Sequence, residues 1–220
     1  MVVLHEAGAS EELPGAGVSP HRGSVKSSVL GIASARVEGL SLHLLKILIR
    51  LMMKTIGIFY GSTTGATEAV AQEIARQCGV GAADVRDVSK MTAGALAAYD
   101  VILFGSSTWG AGDLQDDWYG GIDVLRGCDL RGKTVALFGC GDSESYPDTF
   151  CGALGTLYDA ARAAGAHVAG TVPVDDYSFE DSDAVRDGVF VGLALDEVNE
   201  GAKTQARISA WLADLKNELA

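Results

Sequence analysis

TIGIFYGSTTGATEAVAQEIARQC, residues 55–78, decides the fold. Thr55–Tyr60 is a run of apolar, β-branched and aromatic residues with no charge, which predicts a buried strand. From Thr67 to Cys78, the side chains of Val70, Ile74 and Cys78 recur at helical spacing, which predicts a helix with one apolar face. Between the two lies GSTTGAT, Gly61–Thr67, a turn that brings four hydroxyls to the start of the helix. A strand, a short turn and a helix form the first unit of an α/β sheet.

The same alternation continues down the chain. Residues 83–88 predict a short strand and residues 93–98 a helix. VILFGS (Val101–Ser106) and TVALFG (Thr134–Gly139) are further buried strands, and Gln115–Leu125 and Thr149–Ala164 are helices. His167–Val174 begins a fifth strand. Lys203–Leu219 closes the chain as a helix, with Ile208, Trp211, Leu212, Leu215 and Leu219 on one stripe. Near-continuous apolar strands alternating with helices imply a parallel sheet covered on both faces. Five strands fit the doubly wound order 2-1-3-4-5, which binds ligands beyond the carboxyl ends of its strands.

Upstream of this unit the composition changes. Residues 1–53 carry a net charge of +1, and residues 54–220 a net charge of −13. No Phe, Trp or Tyr occurs before residue 54, so the first 53 residues lack the large side chains of a core. We divide the chain there into an N-terminal extension, 1–53, and a folded domain, 54–220. Residues 7–28, rich in Gly, Ser, Ala and Pro, read as disordered. LSLHLLKILIRLM (residues 40–52) is too short and too charged to span a bilayer. Three readings of the extension stay open: translation starting at Met52 or Met53, an amphipathic docking helix, or a targeting segment.

The charge of the folded part excludes several functions. An acidic surface repels nucleic acid and anionic membrane, and favours partners with a basic docking face. Cys78, Cys128, Cys140 and Cys151 form no CxxC pair and have no His cluster beside them, which argues against a metal centre and suits a reducing cytoplasm. His167, the one histidine after residue 53, lies away from the unusual loops, and no Ser-His-Asp or Cys-His arrangement is evident. No catalytic residue is expected.

Three loops at one sheet edge carry the function. The first, GSTTGAT, offers backbone N–H groups at a helix N-terminus together with its hydroxyls, a setting that holds a phosphate dianion. It lacks the Lys of a Walker loop and the glycine spacing of a dinucleotide fingerprint. A loop without a cation suits a terminal monophosphate; an ordinary helix cap by Thr64 or Thr67 is the competing reading. The second, SSTWGAGD (Ser106–Asp113), holds Trp109 where no core is being filled, a platform for a flat heterocycle. The third, GCGDSESYPDTFC (Gly139–Cys151), offers Tyr146 as a second aromatic wall. A phosphate cradle and two aromatic walls describe a site for flavin mononucleotide, FMN.

Over essentially all of residues 54–220 these motifs resemble the flavodoxin family. The resemblance implies that Ser62, Thr63, Thr64, Gly65, Ala66 and Thr67 bind the phosphate. It implies that Trp109, with Ser107, Thr108 and Gly110, packs on the inner face of the isoalloxazine, and that Tyr146 stacks on the outer face. The backbone around Asp142 would bind the pyrimidine edge, within a loop where Cys140, Gly141, Asp148 and Cys151 are also counted as cofactor-binding. GCGDS and FCGA look like the flavin loop of short-chain members. The stretch Asp175–Val191, which interrupts the fifth strand before VGLALDE resumes it, resembles the insertion of long-chain members.

The resemblance implies a cytoplasmic, monomeric electron carrier on one non-covalent FMN, working between semiquinone and hydroquinone. Its partners would be flavin reductases and iron–sulfur or other low-potential acceptors with basic faces. The peptide of Gly110 would bond the protonated flavin N5 of the semiquinone. Asp113, Asp142, Glu144 and Asp148 beside the ring would disfavour the anionic hydroquinone and lower its potential. An FMN-dependent quinone or nitro reductase on the same fold is the alternative, which outer-face cover by Tyr146 argues against. A signalling receiver domain would need an acidic cluster at the end of the first strand, where Tyr60 and Gly61 stand instead.

Overall fold

The computed structural model describes residues 53–220, so the readings of the extension, except at Met53, lie outside the described residues. The strands are β1 (Ile56–Gly61), β2 (Val85–Asp87), β3 (Val101–Trp109), β4 (Asp113–Leu114), β5 (Thr134–Gly141), β6 (His167–Ala169), β7 (Val172–Pro173), β8 (Val185–Arg186), β9 (Val189–Phe190) and β10 (Leu193–Asp196). The helices are α1 (Ala66–Cys78), α2 (Ala93–Ala97), α3 (Trp118–Arg126), α4 (Ala153–Ala163), α5 (Gly201–Asp214) and α6 (Lys216–Leu219).

The main sheet runs β2-β1-β3-β5 in parallel, with β6 and β10 both along the outer edge of β5. β6 pairs with Thr134–Ala136 and β10 with Phe138–Gly141, so the two are halves of one interrupted strand. This is the expected order 2-1-3-4-5, with β5 as its fourth strand. Between the halves, β7, β9 and β8 form a small antiparallel sheet of their own.

Alternating strand residues feed two cores. Phe59, Ile102, Phe104, Val135 and Leu137 face α3 and α4, where Trp118, Ile122, Leu125, Leu154 and Leu157 meet them. Ile58, Val101, Leu103, Ala136 and Phe138 face α1 and α5, where Val70, Ile74, Ile208 and Trp211 close the layer. Each fully buried Leu, Ile or Phe contributes about 1.5–3 kcal/mol, so both faces hold the sheet.

Several boundaries differ from the sequence reading, each for a local reason. β3 runs on to Trp109 because its end pairs antiparallel with β4, making a hairpin where a loop was expected. α3 begins at Trp118, because the residues before it form a turn in which the Asp117 N–H donates to Gln115 Oε1 at 3.0 Å. α4 begins at Ala153, since Cys151 sits at φ +54°, outside helical geometry. The closing helix is broken at Leu215 into α5 and α6.

Candidate functional site

The register sets three strand ends side by side: Gly61 pairs with Ser106, and Ser106 with Gly139. Adjacent strands lie about 4.8 Å apart, so the three loops leave the same edge within one ligand's reach.

The first loop enters α1 with the donors of the helix's first turn unspent. Gly65, at φ +91°, is the N-cap, a backbone that a residue with a Cβ adopts only with strain. No side chain caps the first turn of α1, which leaves its leading N–H groups open. Ser62 Oγ accepts from the Gly65 N–H at 3.2 Å and so holds the loop's curve. Thr63 and Thr64 are exposed, and Ala66 is half-buried at the helix start. Thr67 is fully buried, and its Oγ1 has no hydrogen-bond partner of normal geometry, the neighbouring Cys140 thiol offering only a weak contact. The capping role considered for Thr67 is therefore not made.

The second loop is the β3–β4 hairpin. Its turn places Gly110 at φ +51° and Gly112 at φ +97°. Trp109 is 45% exposed, an unusual state for the largest apolar side chain. Its Nε1 donates to Ser107 Oγ at 3.1 Å, which fixes the ring's orientation. Thr108 Oγ1 is buried without a partner.

The third loop follows β5. Tyr146 is 55% exposed. Asp142 Oδ1 accepts from Ser145 N–H at 2.8 Å, Glu144 N–H at 3.2 Å and Asn199 Nδ2 at 2.9 Å. The Ser145 N–H above all holds the Asp142 carboxyl below the usual carboxylate range. Gly141 allows the loop's two ends to meet, since a Cβ there would lie 2.9 Å from the Cys151 nitrogen. Asp113, Glu144 and Asp148 are exposed and place negative charge on the rim.

The two cysteines turn their side chains away from the loops. Cys140 packs into the core on the α1–α5 side, and burial pushes its thiol up to about 12. Cys151 is fully buried on the opposite side, its Sγ 3.7 Å from the carbonyls of Gly139 and Leu195. Burial pushes that thiol well up too. Neither side chain faces the loops' open surface; both pack the floor beneath it, and only their backbone could take part in binding.

Residues not singled out from sequence tie the loops together. Gln115, almost wholly buried, donates from Nε2 to Thr63 Oγ1 at 3.2 Å and through its backbone N–H to Ser106 Oγ at 3.2 Å. That joins the first loop to the second. A Cβ on Gly112 would lie 3.7 Å from Thr149 Cβ and one on Gly152 3.1 Å from Gly112 Cα, so the second loop rests on the third. Asp196, at the end of β10, accepts from Ser143 and anchors the third loop. Burial pushes its carboxyl up, but hydrogen bonds from Ser143 and Asn199 outweigh that and leave it lowered.

A doubly wound parallel sheet with open helix donors and exposed aromatics at its carboxyl edge defines a nucleotide-binding α/β domain. The flavodoxin family model matches residues 58–211. Flavodoxin 1 of Azotobacter vinelandii is 44% identical over 170 residues, covering 76% of this chain and 98% of that protein. The flavodoxin of Haemophilus influenzae is 41% identical over 168 residues, covering 76% of this chain and 97% of that protein. Among solved structures, a Fusobacterium nucleatum flavodoxin bound to flavin mononucleotide superposes with a TM-score of 0.70 at 30% identity, covering 76% of this chain and 100% of that one. The chain belongs to the flavodoxin family.

Proposed function

We propose that this protein is an electron carrier, not an enzyme, that holds one FMN non-covalently across the three loops. One observation carries the reading: Thr67 Oγ1 is buried without a partner under an uncapped helix start. A buried hydroxyl left unpaired costs about 1–3 kcal/mol, which a phosphate oxygen would recover. The open N–H groups of α1 and the hydroxyls of Ser62, Thr63 and Thr64 complete a cradle suited to that dianion. The family's flavodoxins, one of them bound to FMN, support the assignment.

When bound, FMN supplies the redox chemistry and takes up electrons one at a time. The chain's own residues bind, orient and tune it. Ser107 would fix Trp109 against one ring face, Tyr146 would cover the other, and the backbone at Asp142 would meet the pyrimidine edge. Asp113, Glu144 and Asp148 would disfavour added negative charge on the ring and so lower its potential. The interrupted fifth strand supports placing the chain in the long-chain branch. The relatives' identity does not favour the reductase alternative.

Flavodoxin identity implies redox partners. We infer that they present basic faces to the acidic rim, that nucleic acid is not among them, and that the carrier acts as a cytoplasmic monomer. Its free cysteines support a reducing compartment. We further infer that residues 1–53 take no part in holding the flavin. The test is anaerobic reduction of the full chain reconstituted with FMN. Two resolved one-electron steps are expected; a single two-electron step would contradict a one-electron carrier.

A further inference from the structure

We propose that Asp196 is a positioning residue for the flavin, its carboxylate clasping the Asp142–Tyr146 loop in the shape that receives the ring. The proposal rests on the FMN reading above and deepens it. Asp196 is 1% exposed, at the end of the apolar strand β10 and paired with Gly141. A buried carboxylate is costly unless its oxygens are fully bonded. This one is met by hydrogen bonds and, among the described residues, by no ion pair.

The two oxygens do different work. Oδ1 serves its own segment, accepting from Val198 N–H at 3.0 Å and Asn199 N–H at 2.8 Å. That much is a local turn ending a strand. Oδ2 reaches back 53 residues, accepting from Ser143 N–H at 2.9 Å and Ser143 Oγ at 2.6 Å. It also accepts from Asn199 Nδ2 at 2.9 Å, and the same amide donates to Asp142 Oδ1 at 2.9 Å. The Asp142 carbonyl in turn accepts from Tyr146 N–H at 3.0 Å. One buried oxygen thus governs the path from the strand end to the exposed aromatic. Stopping β10 requires only Oδ1; of the three hydrogen bonds at Oδ2, two come from the loop and the third from Asn199, whose amide also holds Asp142. A binding site is precise only when such supporting contacts lock it.

The test compares Asp196→Asn, Ser143→Ala and wild type in the full chain by FMN affinity, one-electron potentials and urea unfolding of the apoprotein. In Asp196→Asn, whichever way the amide turns, one former oxygen site becomes a donor facing donors. Hydrogen bonds to a charged group are worth enough that FMN affinity should fall about tenfold to a hundredfold. Both potentials should shift with it, because the ring's surroundings change. Ser143→Ala removes one loop-side bond alone and should weaken FMN about threefold to tenfold without altering the β10 turn. Wild-type affinity and potentials in both variants, with only the urea midpoint lowered, would reduce Asp196 to a structural stop and overturn the proposal. If Asp196→Asn does not fold, Ser143→Ala decides the matter by the same readouts. Failure of wild type itself to bind FMN is a distinct result, and would remove the functional reading and this proposal together.

Discussion

In the proposed site, the Ser62–Thr67 loop and the Asp142–Tyr146 loop are built by opposite means. The first keeps its donors unspent: no cap, a buried hydroxyl without a partner, exposed threonines. The second is closed on itself and on β10 by hydrogen bonds through Asp142, Ser143 and Asp196. The difference follows from what each would hold. A phosphate dianion brings its own acceptors and needs free donors. A flat ring needs a wall already standing, so the loop that presents Tyr146 must be rigid before the ligand arrives.

The largest break in the comparison comes at neither of these loops but at the aromatic wall of the β3–β4 hairpin. Trp109→Ala removes the exposed indole between them and should weaken FMN about a hundredfold, measured by quenching of flavin fluorescence. Thr67→Val sharpens the contrast, because its two effects have opposite sign. FMN affinity should fall about tenfold, while apoprotein stability in urea should hold or rise, since a buried unpaired hydroxyl is gone. A stability loss would show that the hydroxyl already has work in the apoprotein.

Acid probes the closed loop in the apoprotein. The carboxyls of Asp142 and Asp196 are both lowered in the folded state, so they bind protons less readily there than in the unfolded chain. Their contribution is present above the unfolded value, about 3.9, and is lost as pH falls through the folded values below it. Urea midpoints measured from pH 5 downward should therefore drop in wild type and drop less in Asp196→Asn. The smallest effects are the controls. Tyr119→Ser, at an exposed aromatic of α3, should leave FMN affinity unchanged. A chain beginning at Met53 should also bind FMN as the full chain does.

What the sequence disclosed follows the same division. Strands and helices were legible because their apolar periodicity is local, and the GSTTGAT loop because its donors are consecutive residues. The β3–β4 hairpin was missed because Thr108 and Trp109 pair with a two-residue strand too short to show a pattern. Gln115, Asp196 and Asn199 were missed because their site partners lie 52, 53 and 57 residues away. Nothing in the run VGLALDE distinguishes a loop-clasping Asp from a solvent-facing one. The cysteine phrases mark the loop, and only the structure shows that β5 alternation turns Cys140 into one core while the backbone turn at Cys151 sends its thiol into the other.

The central claim is that the three loops together hold one FMN. Titration of the flavin-free full chain with FMN, followed by fluorescence and the visible spectrum, tests it directly. The account predicts saturation at one flavin per chain, quenched emission and a yellow protein that survives gel filtration. Emission that stays that of free flavin, with a colourless protein peak, would contradict it.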